Sequence, residues 1–193
     1  GFGCDCSSRN QCSTGFCLDT PKGGFCGPQA GATPLPRFVG LDQFGEQVDI
    51  YDFGKQAKYI VLDMSTGWCK PCKQLANWFV TGNEAIKSVP SWLPEYDRIR
   101  ELVNSHEVLW VTILYEDATK GPANQEIVTA WAEAYPHEGI PVLADTEKQL
   151  HLWLKPSGLP NLHILSQDMK MLTYNNRGIS DAFDYLIAAF PEE

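Results

Sequence analysis

The chain has 193 residues, enough for one domain with a real core plus something small. Apolar residues make up 44% and charged residues 20%, the proportions of an ordinary globular protein. The formal net charge of -9 argues against nucleic acid as a partner, and no apolar run reaches the roughly 18 residues that a membrane span requires. Residues 1–31 balance Arg9 and Lys22 against Asp5 and Asp19, so the whole acidic excess lies downstream.

The first segment is dominated by Cys4, Cys6, Cys12, Cys17 and Cys26. Small and polar residues separate them, too few apolar groups to fold without staples. Disulfides supply those staples and imply an oxidising compartment. The gaps are not the paired Cys-x2-Cys spacing of a zinc ribbon, so no metal is expected. The stretch Cys6–Cys26 resembles small Cys-rich modules of secreted bacterial proteins. Spacing alone does not select a pairing; within that resemblance we expect Cys6–Cys17 and Cys12–Cys26. Cys4 is then the odd one. A mate lost by truncation ranks first, ahead of oxidation by a partner or a lipid-modified N-terminus. The absence of a visible signal peptide does not argue against export, because a mature chain lacks one.

Residues 27–36 carry Gly27, Pro28, Gly31, Pro34 and Pro36 and read as an extended linker. The expected organisation is a Cys-rich module over 1–31 and a second domain over 32–193. In that domain Phe38-Val39 and Val48–Ile50 flank a turn at 42–45. Tyr59–Leu62 is an apolar run suited to a central strand. Helices are expected over 71–81 and 95–105, the latter with Ile99, Leu102 and Val103 on one face. Pro90, Trp92, Leu93 and Pro94 break the segment between them, which reads as an insertion near the active-site side. Then come a strand over Val108–Leu114, a helix over 123–134, a strand over Ile140–Leu143 and a short helix over 147–154. Leu162–Leu165 and Met171–Tyr174 bracket a hairpin turn, and a helix over 180–190 closes the chain. This order implies an α/β fold, a mixed sheet with helices on both faces.

Cys69 and Cys72 are the only cysteines after Cys26. Two intervening residues put both sulfurs in bonding reach in the first turn of a helix, whose free N–H groups favour a thiolate. Pro71 suits that turn, and Lys70 and Lys73 add positive charge. Cys69, nearer the surface, is the expected nucleophile and Cys72 the resolving thiol. The run from Tyr59 to Lys73, with Trp68 before the first cysteine, resembles the active-site segment of thioredoxins and of TlpA/ResA-like redoxins. Ser157-Gly158-Leu159-Pro160 resembles the cis-proline loop of that superfamily, and residues 142–150 also look redoxin-like. The resemblance covers roughly residues 35–190. It implies a thioredoxin-like fold, a buried acid at Asp63 that assists deprotonation of Cys72, and substrate contacts from Trp68, Leu159 and Pro160. Two positions depart from the pattern. Leu75 stands where ResA-like proteins often carry glutamate, and Leu159 where many relatives have threonine or valine.

The expected function is thiol–disulfide exchange on protein thiols or disulfides in the periplasm or another extracytoplasmic space. The protein is expected to be a monomer without a cofactor, coupled to an electron donor or acceptor. Two alternatives stand beside it. Thr66-x-x-Cys69 matches the threonine and cysteine of peroxiredoxins, although Leu62 stands where their proline would be. An exported binding module would instead keep Cys69 and Cys72 permanently bonded. His106, His137, His151 and His163 are scattered and read as ordinary residues.

Overall fold

The computed structural model describes residues 5–8, 11–12, 17–18 and 23–191; Cys4 lies outside them. Strands β1 (Asp5–Cys6), β2 (Cys17–Leu18) and β3 (Gly24–Cys26) form an antiparallel sheet in the order β1-β3-β2. Disulfides join Cys6 to Cys17 and Cys12 to Cys26, with Cα–Cα distances of 6.0 and 5.2 Å. Among the described residues, the apolar cluster here consists of these half-cystines themselves. The Cys6, Cys12 and Cys26 sulfurs lie within 4.8 Å of one another. All three are already committed to disulfides. Gly24 permits the close approach of β1 and β3: a Cβ there would meet the Cys6 carbonyl oxygen at 2.3 Å.

Residues 27–36 are not extended throughout: the chain turns at 30–32, where Ala32 and Thr33 N–H donate to Gln29 O and Gly31 takes a φ of 74°, and it is tied to the main domain. Gly31 N–H donates to Met171 O at 2.5 Å and Leu35 N–H to Met169 O at 2.8 Å. The Leu35 side chain is buried in the main core.

The main sheet contains β4 (Val39–Asp42), β5 (Gln47–Asp49), β6 (Tyr59–Ser65), β7 (Val108–Leu114), β8 (Val142–Ala144) and β9 (Asn161–Ser166). Their order is β5-β4-β8-β7-β6-β9. β6, β7 and β8 run parallel, while β9 pairs antiparallel with β6 and β4 pairs antiparallel with both β8 and β5. Asp42 closes the β4–β5 turn by accepting from Phe44 N at 2.8 Å and Glu46 N at 2.9 Å.

The helices are α1 (Lys70–Thr81), α2 (Asp97–Asn104), α3 (Gln125–Ala134), α4 (Gln149–Leu154) and α5 (Ser180–Ala189). Strand alternation sorts side chains to two faces. Val61, Val108 and Trp110 face Leu75, Trp78 and Phe79 of α1, Ile99 and Val103 of α2, and Phe183 and Leu186 of α5. Val142 and Ala144 meet Val128 and Trp131 of α3 on the same side. Ile60, Leu62, Met64, Val111 and Ile113 face the opposite way, toward Leu150 and Leu154 of α4 and toward Leu35, Phe38 and Ile50. Burial on both faces explains why β6 and β7 read as continuous apolar runs. Among the described residues, no helix is long and apolar enough to cross a membrane.

Three further expectations need correction. The strand expected over Ile140–Leu143 is Val142–Ala144: Pro141 has no N–H, and only its carbonyl reaches β7, accepting from Thr112 N at 3.0 Å. Met171–Tyr174 does not form a regular strand. Leu172 and Thr173 both donate to Ile164 O, and the Thr173 hydroxyl takes the Ile164 N–H at 2.9 Å, so a side chain replaces the ladder. The segment after α1 is not beside the cysteines. It forms 3-10 turns at Glu84–Ser88 and Pro94–Tyr96 after the C-terminal end of α1, and Trp92 packs on Trp78, Tyr96 and Phe183. A helix of this length spans about 18 Å, and Cys69 lies at its other end.

Candidate active site

The site begins where β6 ends. The chain turns through Thr66, Gly67 and Trp68, and Cys69 caps α1. Cys69 Sγ accepts the Cys72 N–H at 3.2 Å, so the sulfur fills the usual place of a capping oxygen. A proline stands in the first turn of α1 and no acidic residue does, which leaves the positive helix end without a side-chain anion. Cys69 and Cys72 are bonded to each other, with Cα atoms 5.3 Å apart.

Cys69 is only 2% exposed and Cys72 1%. Cys69, expected nearer the surface than Cys72, is covered almost as fully as its partner in this disulfide state. Both half-cystines belong to an apolar cluster with Ala123, Val128 and Trp131, against which Leu159 packs. The exposed neighbours are Trp68, at 41%, and Lys70. Lys70 and Pro71 occupy the first turn of α1. Thr66 is fully buried, and its hydroxyl has no partner among the described residues.

Gly67 ties the turn to the chain after β7. Its N–H donates to Glu116 O at 2.8 Å, and a Cβ on it would meet Ala118 N at 2.7 Å. This contact sets residues 116–121 beside the cysteines. The Trp68 indole N–H donates to Glu116 Oε2 at 2.8 Å, while Lys148 Nζ meets Glu116 Oε1 at 2.6 Å. The Lys120 ammonium lies 5.4 Å from the Trp68 ring centroid. Burial works to raise the Glu116 pKa, but Lys148 and Trp68 outweigh it and hold the carboxyl below its ordinary value.

The Leu159–Pro160 loop arrives from far along the chain. Its peptide bond is cis. Pro160 is buried, and the loop is anchored by Gly178 N–H donating to Pro160 O at 3.0 Å and by Asn161 Nδ2 donating to Asn175 O at 2.9 Å. The Leu159 backbone N–H and C=O make no hydrogen bond among the described residues.

Asp63 lies on the inner face of β6 and is nearly fully buried. Its carboxylate accepts from Ser65 Oγ at 2.8 Å and, weakly, from Trp110 Nε1 and Thr112 Oγ1 at 3.4 Å. None of these bonds goes to a cysteine. It borders a cavity of about 10 Å³, the scale of one water, also lined by Leu75 and Ala76 of α1. Burial pushes its pKa up to about 6, only partly offset by the three donors.

Among solved structures, the chain is similar to a conserved Bacteroides fragilis protein of unknown function, with a TM-score of 0.57 and 15% identity over 82% of this chain and 98% of that one. A putative thiol:disulfide interchange protein DsbE from Chlorobium tepidum matches at TM-score 0.53 and 17% identity, covering 81% of this chain and 94% of that one. The exposed lipoprotein thioredoxin of Streptococcus pneumoniae matches at 0.52 and 16%, covering 80% and 100%. No protein-family model matches the chain, and no curated protein does. The fold is thioredoxin-like.

Within the thioredoxin-like frame, Cys69, Cys72, Trp68 and Leu159 converge at one end of the sheet, while Asp63 sits beneath them in the core. Sequence reasoning missed Glu116, Lys120 and Lys148. One signal was available: Glu116 follows the carboxyl end of a central parallel strand, where open α/β sheets collect functional groups.

The Asp63 environment carries a stability prediction. The folded carboxyl keeps its proton up to about pH 6, while an unfolded one releases it near 3.8. Its folded pKa is the higher, so stability falls as pH rises through that window and levels off above it, a change of about 3 kcal/mol. Asp63→Asn should raise the unfolding free energy by about 1–3 kcal/mol near pH 7.5 and lose that advantage near pH 4. Urea unfolding at both pH values checks this; a variant less stable than the parent at the higher pH contradicts it.

Proposed function

We propose that this chain is an extracytoplasmic thiol–disulfide oxidoreductase that acts on protein disulfides through Cys69 and Cys72. One observation carries the reading. A Cys-x-x-Cys disulfide capping a helix meets a loop from the far side of the sequence whose backbone groups at Leu159 are free to pair with a substrate strand. The interchange proteins among the structural neighbours share this fold.

In the reductive direction, Cys69 thiolate attacks a substrate sulfur. The substrate disulfide breaks, one substrate thiolate leaves, and a mixed disulfide forms. Cys72, deprotonated, then attacks Cys69 Sγ and expels the second substrate thiolate. The substrate gains two electrons, and the Cys69–Cys72 bond forms. The reverse sequence oxidises a substrate dithiol. The donor or acceptor couple that meets the protein decides the direction. The helix N-terminus and Lys70 favour negative charge on Cys69, and Pro71 pre-shapes the first turn. Trp68 and the Leu159–Pro160 edge hold the substrate backbone. Asp63, ionising near neutral pH, takes the proton that Cys72 gives up.

The Cys6–Cys17 and Cys12–Cys26 bonds support the location, because such bonds persist in oxidising compartments. In the same reading, residues 1–31 are a stapled module and 32–193 the redoxin domain, working as a monomer. An anchor at the N-terminus is consistent with the exposed lipoprotein among the neighbours.

The test is a redox titration of the native chain, followed by alkylation and peptide mapping. Cys69 and Cys72 should open together and reversibly in the folded protein, as a two-electron couple between about −120 and −270 mV. A pair that opens only when the chain unfolds would overturn the proposal in favour of an inert binding module.

A further inference from the structure

We infer that the disulfides this site exchanges with are flanked by carboxylates: the substrate or redox partner presents an acidic segment beside its cystine. The inference rests on the exchange reading above and adds the substrate's charge.

The chain as a whole carries a net charge of -9. The rim of the candidate site has the opposite character. Lys70 is exposed directly after Cys69. Lys120 is exposed on the loop that Gly67 clamps against the active-site turn, with its ammonium 5.4 Å from the Trp68 ring. Arg177 packs against Gly158, one residue before Leu159, so closely that a Cβ on Gly158 would meet Arg177 Cβ at 3.1 Å. These three cations therefore stand around Cys69, Trp68 and Leu159. None of them has a carboxylate partner among the described residues.

Of the carboxylates nearby, Glu116 is the one met by a cation among the described residues. Glu116 is held between Lys148 Nζ and the Trp68 indole. Asp117 Oδ1 accepts from Thr119 N and Oγ1 and from Gly121 N, closing its own loop. Asp181 Oδ2 accepts from Asn175 Nδ2 at 3.0 Å. Asp117 and Asp181 keep their charge, so a peptide laid along Leu159 with its sulfur at Cys69 passes a rim where Lys70, Lys120, Arg177 and Lys148 outnumber Glu116, Asp117 and Asp181. Aspartate or glutamate beside its cystine is attracted there, and lysine or arginine is repelled. The acidic remainder of the surface repels acidic segments elsewhere, which directs such a peptide to this rim.

The test compares two synthetic peptides with the same cystine, one flanked by aspartates and one by lysines, reduced by the full chain with dithiothreitol as donor. At low salt the acidic peptide should show a kcat/KM about tenfold or more above the basic one, and the ratio should collapse toward one as salt screens the charges. Lys120→Glu and Arg177→Glu should each narrow the ratio, and the double variant should invert it. Equal rates at low salt, or faster reduction of the basic peptide, overturn the acidic-substrate inference and leave the exchange reading standing. Rates for both peptides no higher than those of a Cys69→Ser protein overturn both.

Discussion

Replacing Cys69 by serine should lower disulfide reduction by at least about 10³-fold without unfolding the protein. The chemistry and the structure separate cleanly at this position. Cys69 Sγ acts as the cap of α1, accepting from Cys72 N at 3.2 Å. A serine oxygen is among the best replacements for that role, so the helix start survives. What is lost is a sulfur able to carry a thiolate and form a disulfide. Cys72→Ser should behave differently. The first attack by Cys69 remains, but nothing resolves the mixed disulfide, so the variant accumulates covalent adducts and fails to turn over. Its buried hydroxyl, placed in an apolar cluster, costs about 1–2 kcal/mol of stability. Reduction assays and denaturant melts on the two variants check both halves. Cys69→Ser activity near the parent level would remove the mechanism.

The second large effect concerns acid. His163 is fully buried on β9, stacked on Tyr174 with ring centroids 5.2 Å apart. Asn161 Nδ2 donates to Asn175 O, which leaves Asn161 Oδ1 to accept from His163 Nε2 at 2.9 Å. Nδ1 is then the bare nitrogen, and it has no partner among the described residues. A second proton would have to sit there, unsolvated, so burial pushes the His163 pKa down to about 3. Because the folded pKa lies below the ordinary 6.5, the unfolded chain takes up this proton first. The stability is complete above about pH 6.5 and is lost as pH falls toward 3, by about 5 kcal/mol in all. That is comparable to the whole stability of a small domain.

Asp63 works in the opposite sense between about pH 6 and 3.8, so the two groups nearly cancel there. The variants should split them. His163→Gln should become more stable as pH falls from about 6 to 4, by about 3 kcal/mol, whereas Asp63→Asn should lose stability steeply over the same range. Urea midpoints measured across that range read both slopes. Parallel slopes in the two variants would contradict the assignment.

Much of this was legible in the residues. The two-faced burial of β6 and β7 shows as unbroken apolar runs, and Cys69-Lys70-Pro71-Cys72 after such a run places the cysteines at a helix start. The strand boundary at Pro141 and the irregular arm at 171–174 were not legible. They depend on which partner a single N–H finds, and in one case that partner is the Thr173 hydroxyl. The burial of Cys69 was also hidden. It arises from Leu159 and Ala123, which reach the site only through the fold. Glu116 looks like any strand-end carboxylate until Gly67 brings its loop against Trp68.

Peptide mapping of the adduct formed by Cys72→Ser with a cystine peptide tests the central claim most directly. One partner peptide is expected, joined through Cys69, released by dithiothreitol and absent from the Cys69→Ser, Cys72→Ser double variant. An adduct joined through Cys6, Cys12, Cys17 or Cys26, or none at all, would contradict it.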